Sequence, residues 1–244
     1  IEKTGKNLSD KAELIDAKGM IVAPGLVDMH AHLREPGRED EETVLTGMLA
    51  AIKGGFTSVA CMPNTEPPLD NPAIIKSLKD VIIKYARANV FIIGSITEAR
   101  AGKRATDFHK IKKEGAVAIS DDGSSVDDET VMSGALEQSK EENLLIIEHC
   151  EDRKISDNGV MNHGFIATKL GLKGIPSESE YERVKRDIEL AKKASARIHI
   201  AHVSTKESVD IIRRARGEGV KVTAEPAPHY LTLTEGCCAT YDTN

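Results

Sequence analysis

Short β-branched runs and longer charge-rich segments alternate along this chain. The apolar runs fall at Leu26–His30, Phe56–Met62, Val90–Ile96, Val117–Ser120, Leu144–Cys150, Arg197–Val203 and Lys221–Glu225. Runs this short, rich in Val and Ile, predict strands. Between them, amphipathic spacing predicts helices over Glu41–Lys53, Pro72–Ala88, Phe108–Glu114, Asp128–Glu142, Glu178–Ser195 and Lys206–Glu218. Gly54-Gly55, Gly115 and Gly219 fall just past helices, where a left-handed cap residue is wanted. Regular alternation of strand and helix is the signature of βα units around a parallel sheet.

The expected class is therefore α/β, and the expected architecture an incomplete TIM-type (β/α)8 barrel with seven of its eight strands. An open doubly wound sheet is the runner-up, but it normally carries a Gly-rich turn after its first strand, and none follows Leu26–His30. Residues 1–23 precede the first barrel strand and read as the remnant of a small N-terminal β-subdomain. Residues 24–244 read as the barrel, cut before its eighth strand. Both ends look truncated: the chain opens without Met in a polar stretch and stops just after a helix start. The segment 151–177 is the least regular, and long for a βα loop.

Composition narrows the classes. With 40% hydrophobic residues, 3% aromatics and no Trp, the core must rest on Ile, Val, Leu and Ala. A net charge of −6 offers no basic stripe for nucleic acid. No apolar stretch approaches the ~20 residues of a membrane helix, and no leader pattern opens the chain, so a cytoplasmic location is expected. The four cysteines lack zinc-knuckle or disulfide spacing; Cys61 and Cys150, inside strand runs, read as buried thiols.

The chemistry gathers at strand ends. Residues two apart on a strand share a face, so His30 and His32 point the same way where the first strand runs out. Neutral imidazole is a common transition-metal ligand, although two loop histidines could also be surface residues. His149 and His202 close two further apolar strands, and Asp121-Asp122 closes another before Gly123. In a barrel, strand C-termini converge on one bowl, so these residues are expected to meet at a metal. His199, three residues before His202, should face the opposite side of its strand and pack on a helix. His109 and His163 read as solvated, and His229 as either a pocket or a loop residue.

The stretch from Pro24 to Gly37, with His30-Ala31-His32-Leu33-Arg34 at its centre, resembles the metal-binding signature of the amidohydrolase superfamily in its dihydroorotase form. Cys61-Met62-Pro63-Asn64-Thr65, Ser120-Asp121-Asp122-Gly123, Glu148-His149-Cys150-Glu151-Asp152 and His202-Val203-Ser204-Thr205 are similar to the family's further motifs, in the family's order. The resemblance implies two zinc ions, His30 and His32 holding one, His149 and His202 the other. Many relatives bridge the pair with a carboxylated lysine. Here Asp121-Asp122 stands at that strand end, as in the aspartate-bridged bacterial type, and Asp122 is favoured over Asp121. Arg34 and Asn64 would hold the substrate's carboxylate, a role that suits a planar guanidinium fork and a neutral donor. Tyr230 departs from the family, many of whose members carry a second histidine after Pro228-His229.

The activity so implied is reversible hydrolysis of dihydroorotate to carbamoyl aspartate in pyrimidine biosynthesis, with zinc activating water. The family's proton-shuttling aspartate follows its eighth strand, so no catalytic residue is expected within the chain and that aspartate is expected beyond Asn244. A homodimer or association with an aspartate transcarbamoylase are the protein partners the resemblance implies. The competing readings are a hydantoinase- or allantoinase-like cyclic amidase, and a catalytically inactive scaffold that has lost metal ligands.

Overall fold

The computed structural model describes residues 15–85 and 87–240. In chain order the elements are β1 (Leu26–Ala31), α1 (Val44–Lys53), β2 (Phe56–Cys61), α2 (Pro72–Tyr85), β3 (Asn89–Gly94), α3 (Phe108–Glu114), β4 (Ala116–Ile119), α4 (Glu129–Glu141), β5 (Leu145–Glu148), α5 (Arg153–Ser156), β6 (Met161–Asn162), α6 (Phe165–Leu170), β7 (Gly174–Ile175), α7 (Glu178–Ala194), β8 (Ile198–Ile200), α8 (Lys206–Gly217) and β9 (Val222–Ala224). Seven strands form one parallel sheet in the order β1-β2-β3-β4-β5-β8-β9, curled into a half-barrel. The expected α/β class and seven-stranded incomplete barrel are what is observed.

Local chemistry explains where the helices begin and end. Thr43 accepts a hydrogen bond from Thr46 N, and Thr46 Oγ1 accepts one from Thr43 N, a reciprocal cap that starts α1 later than its apolar pattern suggests. Asp128 caps α4 by accepting from Thr130 N and Val131 N. At the other ends, Gly55, Gly115 and Gly219 take positive φ as expected, whereas Gly54 stays right-handed. Ser195 provides the left-handed cap of α7 without a glycine.

Strand alternation sorts the apolar side chains into two layers. Met48, Ile75, Phe108, Leu136, Ile146 and Ile198 belong to the large core between sheet and helices. Met62, Ile93, Ala118, Ile147 and Ala201 form a smaller cluster on the other face. β1 and β9 are the two edges of the sheet and pair on one side only.

One expectation changes. The segment 151–177 is not one irregular loop, since it carries α5, α6 and a two-stranded parallel ladder of β6 and β7. Of the expected N-terminal subdomain, residues 1–14 lie outside the described residues, and residues 15–23 form no strand. After β9, Pro228–Leu231 and Glu235–Cys238 form 3-10 turns, and residues 241–244 lie outside the described residues. Among the described residues no helix is long and apolar enough to cross a membrane.

Candidate metal centre

Because the strands are parallel, their C-terminal ends lie along one rim. His30 and His32 come from the end of β1, Asp122 from the turn after β4, His149 from the residue after β5, and His202 from just past β8. Two groups result, His30–His32–Asp122 and Asp122–His149–His202, each with its ligand atoms within 4.8 Å of one another. Asp122 is the shared member. Its Oδ1 lies 3.4 Å from His30 Nε2, 3.6 Å from His149 Nδ1 and 3.4 Å from His202 Nε2, and its Oδ2 lies 3.5 Å from His32 Nε2. These separations are too long for good hydrogen bonds, and Oδ1 is buried without one.

The far nitrogens of the first pair are already engaged. His30 Nδ1 donates to Glu225 Oε1 at 2.7 Å, and His32 Nδ1 to Asn64 Oδ1 at 2.9 Å. Both rings therefore turn Nε2 toward Asp122. His149 is turned the other way, its Nδ1 lying 2.9 Å from His202 Nε2 and its Nε2 3.4 Å from Glu151.

Electrostatics follow this arrangement. Burial would lower the pKa of His30, but Asp122 and Glu225 outweigh it and raise it to about 9. At His32 burial wins, against the Asn64 hydrogen bond and the charge of Asp122, and its pKa falls. Burial opposes ionisation of Asp122, yet His149, His202 and His30 hold it far below the usual carboxylate range. Glu225 is likewise resisted by burial, and His199 and His30 bring it down to about 2.

The neighbouring Asp121 does something different. It accepts from Thr97 N at 3.1 Å and from Thr97 Oγ1, away from the histidines. Arg100 Nη2 donates to the carbonyls of Asp121 (3.2 Å) and Asp122, and Arg153 Nη2 to that of Gly123 at 2.9 Å. Two guanidiniums thus pin the turn that carries Asp122. Arg34, at φ 56°, pairs through Nε with Glu41 at 3.2 Å, while Asn64 is the partner of His32.

His199 requires a correction. It does not pack on a helix: its Nδ1 meets Thr223 Oγ1 at 2.8 Å, and its Nε2 lies 3.3 Å from Glu225 Oε2 on the site side of the sheet. Alternation fails there because β8 ends at Ile200 and His202 takes φ 35°, so the residue count no longer fixes the face. His229 is exposed, its ring edge-on to Tyr230, and His109 and His163 are exposed as expected. Glu225 and Arg100 were not singled out from sequence; a carboxylate closing a predicted strand was the available signal for Glu225.

A parallel half-barrel with imidazoles and a carboxylate at its strand ends has the architecture in which barrel enzymes hold a metal. The dihydro-orotase-like family matches residues 19–208. A dihydroorotase of Elusimicrobium minutum (strain Pei191) is 54% identical over 233 residues, 96% of this chain and 54% of that protein. One from Caldanaerobacter subterraneus subsp. tengcongensis is 49% identical over 245 residues, 100% of this chain and 57% of the relative. Among solved structures, the L-hydantoinase (dihydropyrimidinase) of Arthrobacter aurescens superposes with TM-score 0.73 at 23% identity, covering 91% of this chain and 51% of that one. A Saccharomyces cerevisiae dihydroorotase in complex with 5-fluoroorotic acid gives 0.68 at 19%, covering 89% and 60%. The chain belongs to the dihydro-orotase-like family. It spans about half the length of the curated relatives it matches.

Proposed function

We propose that this chain carries the metal centre of a zinc-dependent dihydroorotase, which reversibly hydrolyses dihydroorotate to carbamoyl aspartate in pyrimidine biosynthesis in the cytoplasm. The observation that carries the reading is Asp122, whose buried Oδ1 lacks a hydrogen bond while four imidazoles surround the carboxylate. An anionic oxygen left so is costly unless a cation satisfies it. The donor set, neutral nitrogen plus carboxylate, suits zinc. His30 and His32 would hold one ion, His149 and His202 a second, with Asp122 between them. Zinc bound there would polarise the ring amide and activate water.

The remaining work belongs to the chain's own side chains. Asn64 orients His32 through Nδ1, a supporting role that metal-bound imidazoles require. Asn64, with Oδ1 committed to His32, keeps its amide hydrogens for a substrate carboxylate, and Arg34 supplies a guanidinium nearby. The proton for the ring nitrogen comes, in this reading, from the aspartate that the family motif places further along the protein. A homodimer, or association with an aspartate transcarbamoylase, belongs to the same reading.

The test is metal analysis of the purified protein with parallel assays on dihydroorotate, hydantoin and allantoin. Two zinc ions per site and hydrolysis confined to dihydroorotate are expected. Preference for hydantoin or allantoin would move the protein to a sister activity, and absence of bound zinc would point to an inactive scaffold.

A further inference from the structure

We infer that Glu225 is a positioning residue that fixes the tautomer and orientation of His30. β1 and β9 are opposite edges of the seven-stranded sheet and share no ladder. Glu225, the residue after β9, nevertheless touches His30 of β1, 195 positions earlier, at 2.7 Å. Both of its backbone groups are held by the β8 segment: Val203 N donates to its carbonyl at 2.8 Å, and its own N donates to Ile200 O at 3.1 Å. Its second oxygen lies 3.3 Å from His199 Nε2, and His199 is in turn tied to Thr223 Oγ1 at 2.8 Å. A run of polar contacts therefore leads from β9 through buried His199 to Glu225 and His30.

An ionised carboxylate can only accept, so in the neutral ring the hydrogen of His30 must sit on Nδ1, leaving the Nε2 lone pair aimed at Asp122. Asn64 fixes His32 in the same tautomer but without a charge. The two rings of the first group are thus locked alike by unlike partners, and the anionic one makes His30 the stronger donor.

This inference rests on the metal-centre reading above, and its test separates the two. Long-range 15N correlation spectra of the metal-free protein report the His30 tautomer directly, whatever the metal does. At a pH high enough for the ring to be neutral, wild type should show His30 protonated on Nδ1 and bare on Nε2. Glu225→Gln, which keeps an accepting carbonyl, should retain that signature, and Glu225→Ala should lose it while circular dichroism shows the fold intact. Zinc affinity, taken from chelator competition over a range of pH so that proton competition is removed, should fall about 10- to 100-fold in Glu225→Ala and less in Glu225→Gln. An Nδ1–H signature that persists in Glu225→Ala, or an affinity within about twofold of wild type, overturns the inference. If Glu225→Ala does not fold, the affinity of Glu225→Gln decides: a weakening supports the role, and wild-type affinity refutes it. Failure of the wild-type protein to take up zinc would instead overturn the metal-centre reading, with the tautomer still deciding the role of Glu225.

Discussion

Metal uptake should release a proton, and the source is His30. In the metal-free fold Asp122 and Glu225 overcome burial and hold this imidazole at about 9, against an ordinary value of 6.5. A metal at His30 Nε2 must displace the proton that sits there below that value. Each pH unit below the pKa then costs tenfold in apparent affinity, so binding at about pH 7 should be up to about 100-fold weaker than at about pH 9. His32 adds nothing to this slope, because burial lowers its pKa and leaves it neutral. Isothermal titration of zinc in two buffers of unequal ionisation enthalpy counts the protons: about one should leave per centre near pH 7.5. The same group makes a signed prediction for stability. A raised pKa stabilises the metal-free fold fully below 6.5, and the contribution disappears as pH rises through about 9. The metal-free melting temperature should therefore fall across that window. Zinc binding that releases no proton, with an affinity flat from about pH 7 to 9, would refute the reasoning.

Other expectations follow from single positions. Asp122→Asn removes the one member common to both ligand groups, so zinc content measured by atomic emission should drop for both ions rather than for one. In the native protein Cys237 and Cys238, both exposed, should react with a thiol reagent; Cys61 and Cys150 should not until denaturant is added, because burial pushes the Cys61 thiol up to about 12 and raises that of Cys150. Gly37→Ala should destabilise by roughly 1–3 kcal/mol in urea melts, since Gly37 has φ 102° and an added Cβ would meet the Glu66 carbonyl. Ile146→Ala, in the fully buried core of β5, should cost about 2–5 kcal/mol by the same measurement.

Much of this could be read along the chain because parallel βα units write period and position together. Strand runs locate the rim, and residues at the rim converge whatever their spacing in sequence. That is why His30, Asp122, His149 and His202, drawn from four strands, were expected to meet and are found within reach of one another. What stayed hidden depends on geometry that period cannot carry. β6 and β7 are two residues each, too short for any alternation to register. The side on which His199 lies was misjudged because a single left-handed residue, His202, resets the face count. Arg100, also left-handed, supports the Asp122 turn from outside any strand, and nothing in a helix or strand pattern marks it.

The pair Asp121-Asp122 shows how far environment, rather than residue type, divides the work. Two adjacent carboxylates leave β4 within one turn, and sequence favoured Asp122, within the resemblance, by its spacing to His149. The structure gives the two different surroundings. Burial raises Asp121, and its partners, Thr97 N and Oγ1, are neutral donors that tie it to the loop after β3. Asp122, its backbone N held by Ser120 Oγ at 3.0 Å, turns toward four imidazoles, of which His149, His202 and His30 keep it ionised against its own burial. One carboxylate is spent on holding the turn and the other is left with an unpaired oxygen. On the metal-centre reading that oxygen is satisfied by a cation, so Asp121→Asn should lower the melting temperature by loosening the turn, while Asp122→Asn should cost zinc uptake instead.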